Sequence, residues 1–147
     1  MRTLYHLPLD PYSRKIRILL GEKKIEVDLR VEQTWERREA FLALNPAGTV
    51  PVLEEAGGAV VAHSQTIAEY LDETVPEPVM IAGTAIERAE VRRLCHWFDD
   101  KFNREVTEHL LGEKMMKRFL GLGEPNSEAI RAGAGWALTV PTALMEQ

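Results

Sequence analysis

The segment from Asn45 to Leu71 constrains this chain more than any other. It reads NPAGTVPVL, then a Gly-Gly turn, then AHSQTIAEYL. Pro51 stands at the start of an apolar strand, Val50-Pro51-Val52-Leu53, where a missing N–H ordinarily weakens sheet pairing. Thirteen positions on, Ser64 immediately precedes an amphipathic helix. A strand that shows unpaired main chain beside a helix N-terminus can hold a small peptide by its backbone and a carboxylate. The pattern points to binding rather than to bond-breaking chemistry.

The flanking sequence supplies a sheet for that segment. Thr3–Leu7 reads as a strand ending at Pro8, and Asp10-Pro11 opens a helix, with Asp at the N-cap and Pro in the first turn. Ile16, Leu19 and Leu20 give that helix one apolar face, and Gly21 is expected to close it. Ile25, Val27, Leu29 and Val31 alternate with Glu26, Asp28 and Arg30, the period of a strand. Trp35–Leu44 reads as a shorter helix closed by Asn45-Pro46-Ala47-Gly48. Val50–Glu54 and Ala59–Ala62 flank Gly57-Gly58 as a hairpin. Ser64–Glu73 is a helix ended by Val75-Pro76. The order is β-α-β-α-β-β-α, a four-stranded mixed sheet with three helices.

After a linker the character changes to all-helix. Thr84-Ala85-Ile86-Glu87 has the form of a capping box, and a long helix is expected through about Leu120. Its stripe is Ile86, Val91, Leu94, Cys95, Phe98, Phe102 and Val106. A second helix starts near Asn126, and helical periodicity fades from Arg131. The expected division is 1–76, a linker 77–83, and 84–147.

Composition removes several function classes. Among 147 residues the formal charge is −5, which disfavours a nucleic-acid partner because phosphate recognition needs a basic face. No run approaches the roughly 20 apolar residues of a membrane span, and the first residues lack a signal-peptide core. A cytoplasmic protein is expected. The lone cysteine, Cys95, excludes an intrachain disulfide and a Cys-rich zinc site. Cys95 is expected to be buried; His96 and His109 lack metal-ligand spacing, so no metal is expected.

The element order, the X-Pro of the third strand and the helical appendage resemble the glutathione S-transferase superfamily. The most specific matches are Asn45–Leu53 and Ser64–Leu71. The resemblance implies an α/β plus all-α protein: a thioredoxin-like N-terminal domain followed by a truncated helical C-terminal domain. It implies a cis bond before Pro51, leaving the Val50 N–H and C=O to pair with the cysteinyl backbone of glutathione. It places Ser64 and the adjacent N–H groups on the γ-glutamyl carboxylate, with His63 beside the ligand's amino group, where many members carry a carboxylate or glutamine. A homodimer and a small electrophilic second substrate follow from the same resemblance.

One departure bears on catalysis. In the serine and cysteine classes of the superfamily, the residue before Pro-aromatic at the first helix activates or attacks the thiol. Here the sequence is Asp10-Pro11-Tyr12-Ser13. A transferase lowers the thiol pKa with a hydrogen-bond donor and a positive helix end; an ionised Asp10 does the reverse. Asp10 is therefore read as an inactive catalytic position and a helix cap, leaving Ser13 and Tyr5, with Tyr12 and His6 behind them, as substitute thiol partners. Weak or absent turnover is the expectation. Within the superfamily, MRTLYHLPLDPYSRK, the surroundings of Trp35, Trp97-Phe98-Asp99 and Glu105-Val106-Thr107 are similar to a GST-like branch of α-proteobacteria that binds FtsZ. A non-catalytic adaptor in cell division is the alternative reading, and it accounts for Asp10.

Overall fold

The computed structural model describes residues 1–145, with side chains as far as residue 139. It falls into two compact units, 1–84 and 85–147. In the first unit the strands are β1 (Arg2–His6), β2 (Val27–Val31), β3 (Val52–Glu54) and β4 (Val60–Ala62). They lie in the order β2-β1-β3-β4. β1 runs parallel to β2, with Leu4 opposite Leu29. β3 is antiparallel to both β1 and β4, with Leu53 opposite Leu4 on one side and Val61 on the other. Within this unit β2 and β4 are the edges.

Successive strand residues face opposite sides of a sheet, and the core divides accordingly. Leu4 and Leu53 face helices α1 (Pro11–Glu22) and α3 (Ser64–Thr74), where Ile16, Leu19, Leu20, Ile67 and Leu71 close the larger cluster. Tyr5 and Val52 face the other way and pack with Phe41 of α2 (Glu39–Leu44).

The helix boundaries correct two expectations. Gly21 does not end α1; the helix runs through Glu22, and Lys24 takes the left-handed conformation at φ 53°. Bonds from Lys24 N–H to Gly21 O and from Ile25 N–H to Leu20 O complete a Schellman closure. The helix expected over 35–44 is broken in two. Thr34–Glu36 forms a single 3₁₀ turn, Arg37 adopts φ 48°, and α2 starts at Glu39. The cause is Glu32, whose carboxylate is fully buried and binds the Arg38 guanidinium through both oxygens. That ion pair fixes the chain just ahead of α2.

Lys23 organises the end of the unit. Its buried ammonium bonds to Asp72 Oδ1 at 2.8 Å and to the carbonyls of Val75 and Pro78 at 2.7 Å each. Asp72 in turn accepts from the N–H groups of Met80 and Ile81 at 2.9 Å. The segment after α3, including a cis Glu77–Pro78 bond, is thereby tied to α1 and α3. Burial alone would raise the Asp72 pKa, but Lys23 and the two N–H donors outweigh it and hold the carboxyl below its ordinary range.

The second unit is helical. α4 (Ala85–Trp97) leads into Phe98–Met116, a helix of wider, π-type turns, followed by α5 (Lys117–Leu120). The wider winding is seen at its end, where Lys117 N–H reaches back five residues to Gly112 O. It replaces the uniform helix expected through Leu120. The expected stripe is only partly buried: Val106 is enclosed, whereas Ile86 is 77% exposed and Cys95 half-buried. Trp97, Phe98 and Phe102 form an aromatic trio with ring centroids 4.9–6.0 Å apart. α6 (Ser127–Met145) is capped by Asn126, whose Oδ1 accepts from the N–H groups of Glu128 and Ala129. It persists through the glycines of 131–135, where periodicity was expected to fade. Gly133 is the reason for one of them: a Cβ there would come within 2.7 Å of His109 Cβ.

Candidate functional site

The loop from Asn45 to Pro51 is built by one buried side chain. Asn45 Nδ2 donates to Thr49 O at 2.8 Å, and its Oδ1 accepts from Ala47 N–H. Gly48 sits at φ 67°, a value glycine adopts without steric cost, and its N–H bonds back to Asn45 O. The loop delivers the chain into a cis Val50–Pro51 bond. Pro51 O accepts from His63 N–H at 3.3 Å, continuing the β3–β4 pairing by one step. Among the described residues, neither main-chain group of Val50 has a hydrogen-bond partner.

α3 starts where that pairing ends. His63, at its N-cap, has φ 77° and makes no side-chain cap bond. Its C=O takes the first helical N–H, that of Ile67. Among the described residues, the N–H groups of Ser64, Gln65 and Thr66 find no main-chain acceptor. Ser64 is 1% exposed, and its Oγ has no partner among the described residues. A buried hydroxyl without a hydrogen bond is costly. Those N–H groups and that hydroxyl stand together at the positive end of a helix, the donor set that anion recognition requires. The Gln65 side chain lies between charges of both signs, its Oε1 accepting from Lys15 Nζ at 3.4 Å and its Nε2 donating to Glu69 Oε1 at 2.8 Å. Of the four binding residues read from sequence, Val50, Pro51, His63 and Ser64 thus lie along one continuous corner of the sheet.

The N-terminus of α1 is arranged in the opposite sense. Asp10 caps it, accepting from Ser13 N–H at 2.6 Å. Burial raises the Asp10 pKa, against hydrogen bonds from the Ser13 hydroxyl and from the N–H groups of Ser13 and Tyr12. Ser13 is fully buried; its hydroxyl donates to Asp10 and accepts from Leu7 N–H at 3.3 Å. It has no second proton for a ligand thiol. Tyr5 lies on the α2 face, its ring 5.8 Å from that of Phe41 and its hydroxyl donating to Glu54 Oε2 at 3.1 Å. Burial and the Glu54 carboxylate raise its pKa above that of an ordinary phenol, which makes it a poor acid. His6 is buried, its Nδ1 without a partner among the described residues, and its pKa is lowered by burial and by Arg17. Among the described residues, no group of three His, Cys, Asp or Glu side chains is placed to hold a metal ion.

Sequence reading passed over Arg37. The left-handed turn after Glu36 carries its guanidinium to Gly48, with Nη1 3.7 Å from where a Cβ would stand. It lies against the loop that ends at the unpaired Val50 main chain. Arg37 falls inside Trp35–Leu44, which reads from sequence as one continuous helix, and the left-handed break there has no local signal.

A four-stranded mixed sheet flanked by helices on both faces, with a cis-proline corner after the second helix, defines a thioredoxin-like domain. The chain belongs to the glutathione S-transferase family: residues 11–74 match the family model "Glutathione S-transferase, N-terminal domain". It is 38% identical over 82 residues to a probable glutathione transferase of Aplysia californica, covering 56% of this chain and 88% of that protein. It is 46% identical over 136 residues to FtsZ-localized protein A of Caulobacter vibrioides, covering 90% of this chain and 59% of that protein. Among solved structures, a glutathione S-transferase from Rhodospirillum rubrum F11 superimposes with a TM-score of 0.91 at 52% identity, over 95% of this chain and 63% of that one. The chain therefore spans about three-fifths of the length of these last two relatives. No helix among the described residues is long and apolar enough to cross a membrane.

Proposed function

We propose that this chain carries the glutathione-binding portion of a glutathione S-transferase-family protein whose transferase activity is weak or absent. The observation that carries the reading is the pairing of the unpartnered Val50 main chain with the open N-terminus of α3 and its orphaned Ser64 hydroxyl. The cysteinyl backbone would add to Val50 as a short strand, and the γ-glutamyl carboxylate would satisfy Ser64 and the free N–H groups. Weak turnover follows from the other helix. Asp10 occupies the α1 N-terminus, and the Ser13 hydroxyl is spent on Asp10 and Leu7. Ser13 therefore has no proton left to give a thiolate.

Calorimetric titration with reduced glutathione tests the site apart from chemistry. Saturable binding in wild type, weakened about tenfold or more in Ser64→Ala, supports the reading; no heat of binding at millimolar peptide overturns it. Turnover of a chromogenic electrophile at rates typical of efficient transferases would refute the catalytic half.

The similarity to FtsZ-localized protein A favours a second reading, an adaptor that binds FtsZ in cell division. A scaffold for a protein partner has no need of a thiolate, which accounts for Asp10. Co-sedimentation with polymerised FtsZ from the same organism tests it. Absence from the polymer pellet at micromolar concentrations of both proteins would remove the adaptor reading.

A further inference from the structure

The short helix ahead of the ligand corner is thinly held. Phe41 is the side chain that α2 buries, with Leu44 partly buried beside it against Tyr5 and Val52. A six-residue helix seated on that ring can pivot about it, so the placing of its ends has to be set elsewhere.

Glu32 sets the first end. Its side chain has no exposed surface, and both oxygens take the Arg38 guanidinium, Oε1 from Nε at 3.2 Å. Arg38 is the N-cap of α2, its carbonyl accepting from the N–H groups of Phe41 at 3.0 Å and Leu42 at 2.9 Å. A fork-shaped bond to a planar guanidinium fixes orientation as well as distance. The other end is Asn45, whose N–H bonds to Phe41 O at 2.9 Å and whose side chain shapes the loop leading to Val50. Helical rise puts these ends about 10 Å apart, joined by roughly two turns of helix. Arg37, turned out by the left-handed break beside Arg38, lies over Gly48 of the same loop. Stability alone does not account for the pair. A carboxylate buried against a half-exposed arginine gains little over an apolar filling; what it does supply is one fixed geometry.

We propose that Glu32 is a positioning residue for the ligand corner: through Arg38 it sets α2, and α2 sets the Asn45 loop that presents the Val50 main chain. This rests on the glutathione-site reading above and deepens it.

The test is hydrogen exchange of the whole chain read by mass spectrometry, together with calorimetric titration of reduced glutathione. The variant replaces both partners, Glu32→Met with Arg38→Met, so that no charge is left buried alone. Its melting temperature is expected within about 5 °C of wild type. Amides of 39–50 are expected to exchange about tenfold faster or more, those of α1 at the wild-type rate, and glutathione to bind about fivefold or more weakly. A purely structural role would instead speed exchange throughout the first unit, in step with the melt. Unchanged exchange over 39–50, or exchange faster everywhere alike, overturns the proposal while glutathione binding by wild type still stands. Equal glutathione affinity in wild type and variant overturns it as well. If wild type binds no glutathione, the site reading has failed and the proposal with it. Should the double variant not fold, Arg38→Lys, which keeps the charge without the fork, is read by the same measurements against the same outcomes.

Discussion

Replacing Lys23 by methionine removes an ammonium with no exposed surface and three acceptors within 2.8 Å. Methionine fills a similar volume, so the loss is electrostatic rather than a cavity. Asp72, its side chain 11% exposed, is left with only the Met80 and Ile81 N–H groups, and the Val75 and Pro78 carbonyls lose their donor. Breaking one side of a buried ion pair costs about 3–5 kcal/mol. For a chain of this size that corresponds to a fall in Tm of about 10 °C or more. Urea unfolding followed by circular dichroism measures the stability, and the pH dependence identifies its source. Because the folded Asp72 pKa is depressed, its stabilising contribution is complete above the unfolded value near 4. It fades as pH falls through the lower, folded value. Wild type should therefore lose stability in that acid window, and Lys23→Met should lose less there because the term is already reduced. A change below about 1 kcal/mol at pH 7, with an unaltered acid limb, would show that the ammonium is not what ties the post-α3 segment to α1.

Three further outcomes are expected. Asp10→Ala should cost about 1 kcal/mol by uncapping α1, whereas Asp10→Asn, which keeps an acceptor without a buried charge, should stay within about 0.5 kcal/mol of wild type at pH 7; thermal melts compare them. Ser64→Ala should weaken glutathione binding about tenfold or more while leaving stability unchanged or slightly raised, since it deletes a buried hydroxyl that has no partner; titration and urea melts together separate it from a folding defect. Gly133→Ala should destabilise the helical unit by about 1–3 kcal/mol, because its Cβ would meet His109 Cβ at 2.7 Å; a far-UV melt unchanged from wild type would refute that close approach.

The sheet was legible because its signals are local. Alternation at Ile25–Val31, the Gly57-Gly58 turn and the Asp10-Pro11 cap each depend on a few neighbouring residues, and each marks an element that forms. What sequence missed depends on distant partners. Gly21 looked like a helix end, but the left-handed closure falls at Lys24. Trp35–Leu44 looked continuous, but buried Glu32 captures Arg38 from six residues away. The state of Ser13 could not be read from its spacing, because its hydroxyl is taken by Leu7 N–H and Asp10 across a folded turn. Arg37 reached the loop at Gly48 through a backbone conformation that periodicity does not encode. In the helical unit the apolar pattern gave helices but not their winding, which is wider over Phe98–Met116 than a 3.6-residue period implies.

β2 pairs only with β1 inside its unit, and two of its apolar side chains, Leu29 and Val31, are about half exposed. A flat rim of that kind invites a second chain to extend the ladder into an aggregate. The Asp28–Arg30 ion pair, closed at 2.9 Å on the alternate face, interposes charge that an intruding hydrophobic strand would have to desolvate. Its worth is thus poorly measured by unfolding, since an exposed pair adds little stability. It should show instead as shelf life: neutralising both residues would leave the melting curve almost unmoved and hasten precipitation on storage.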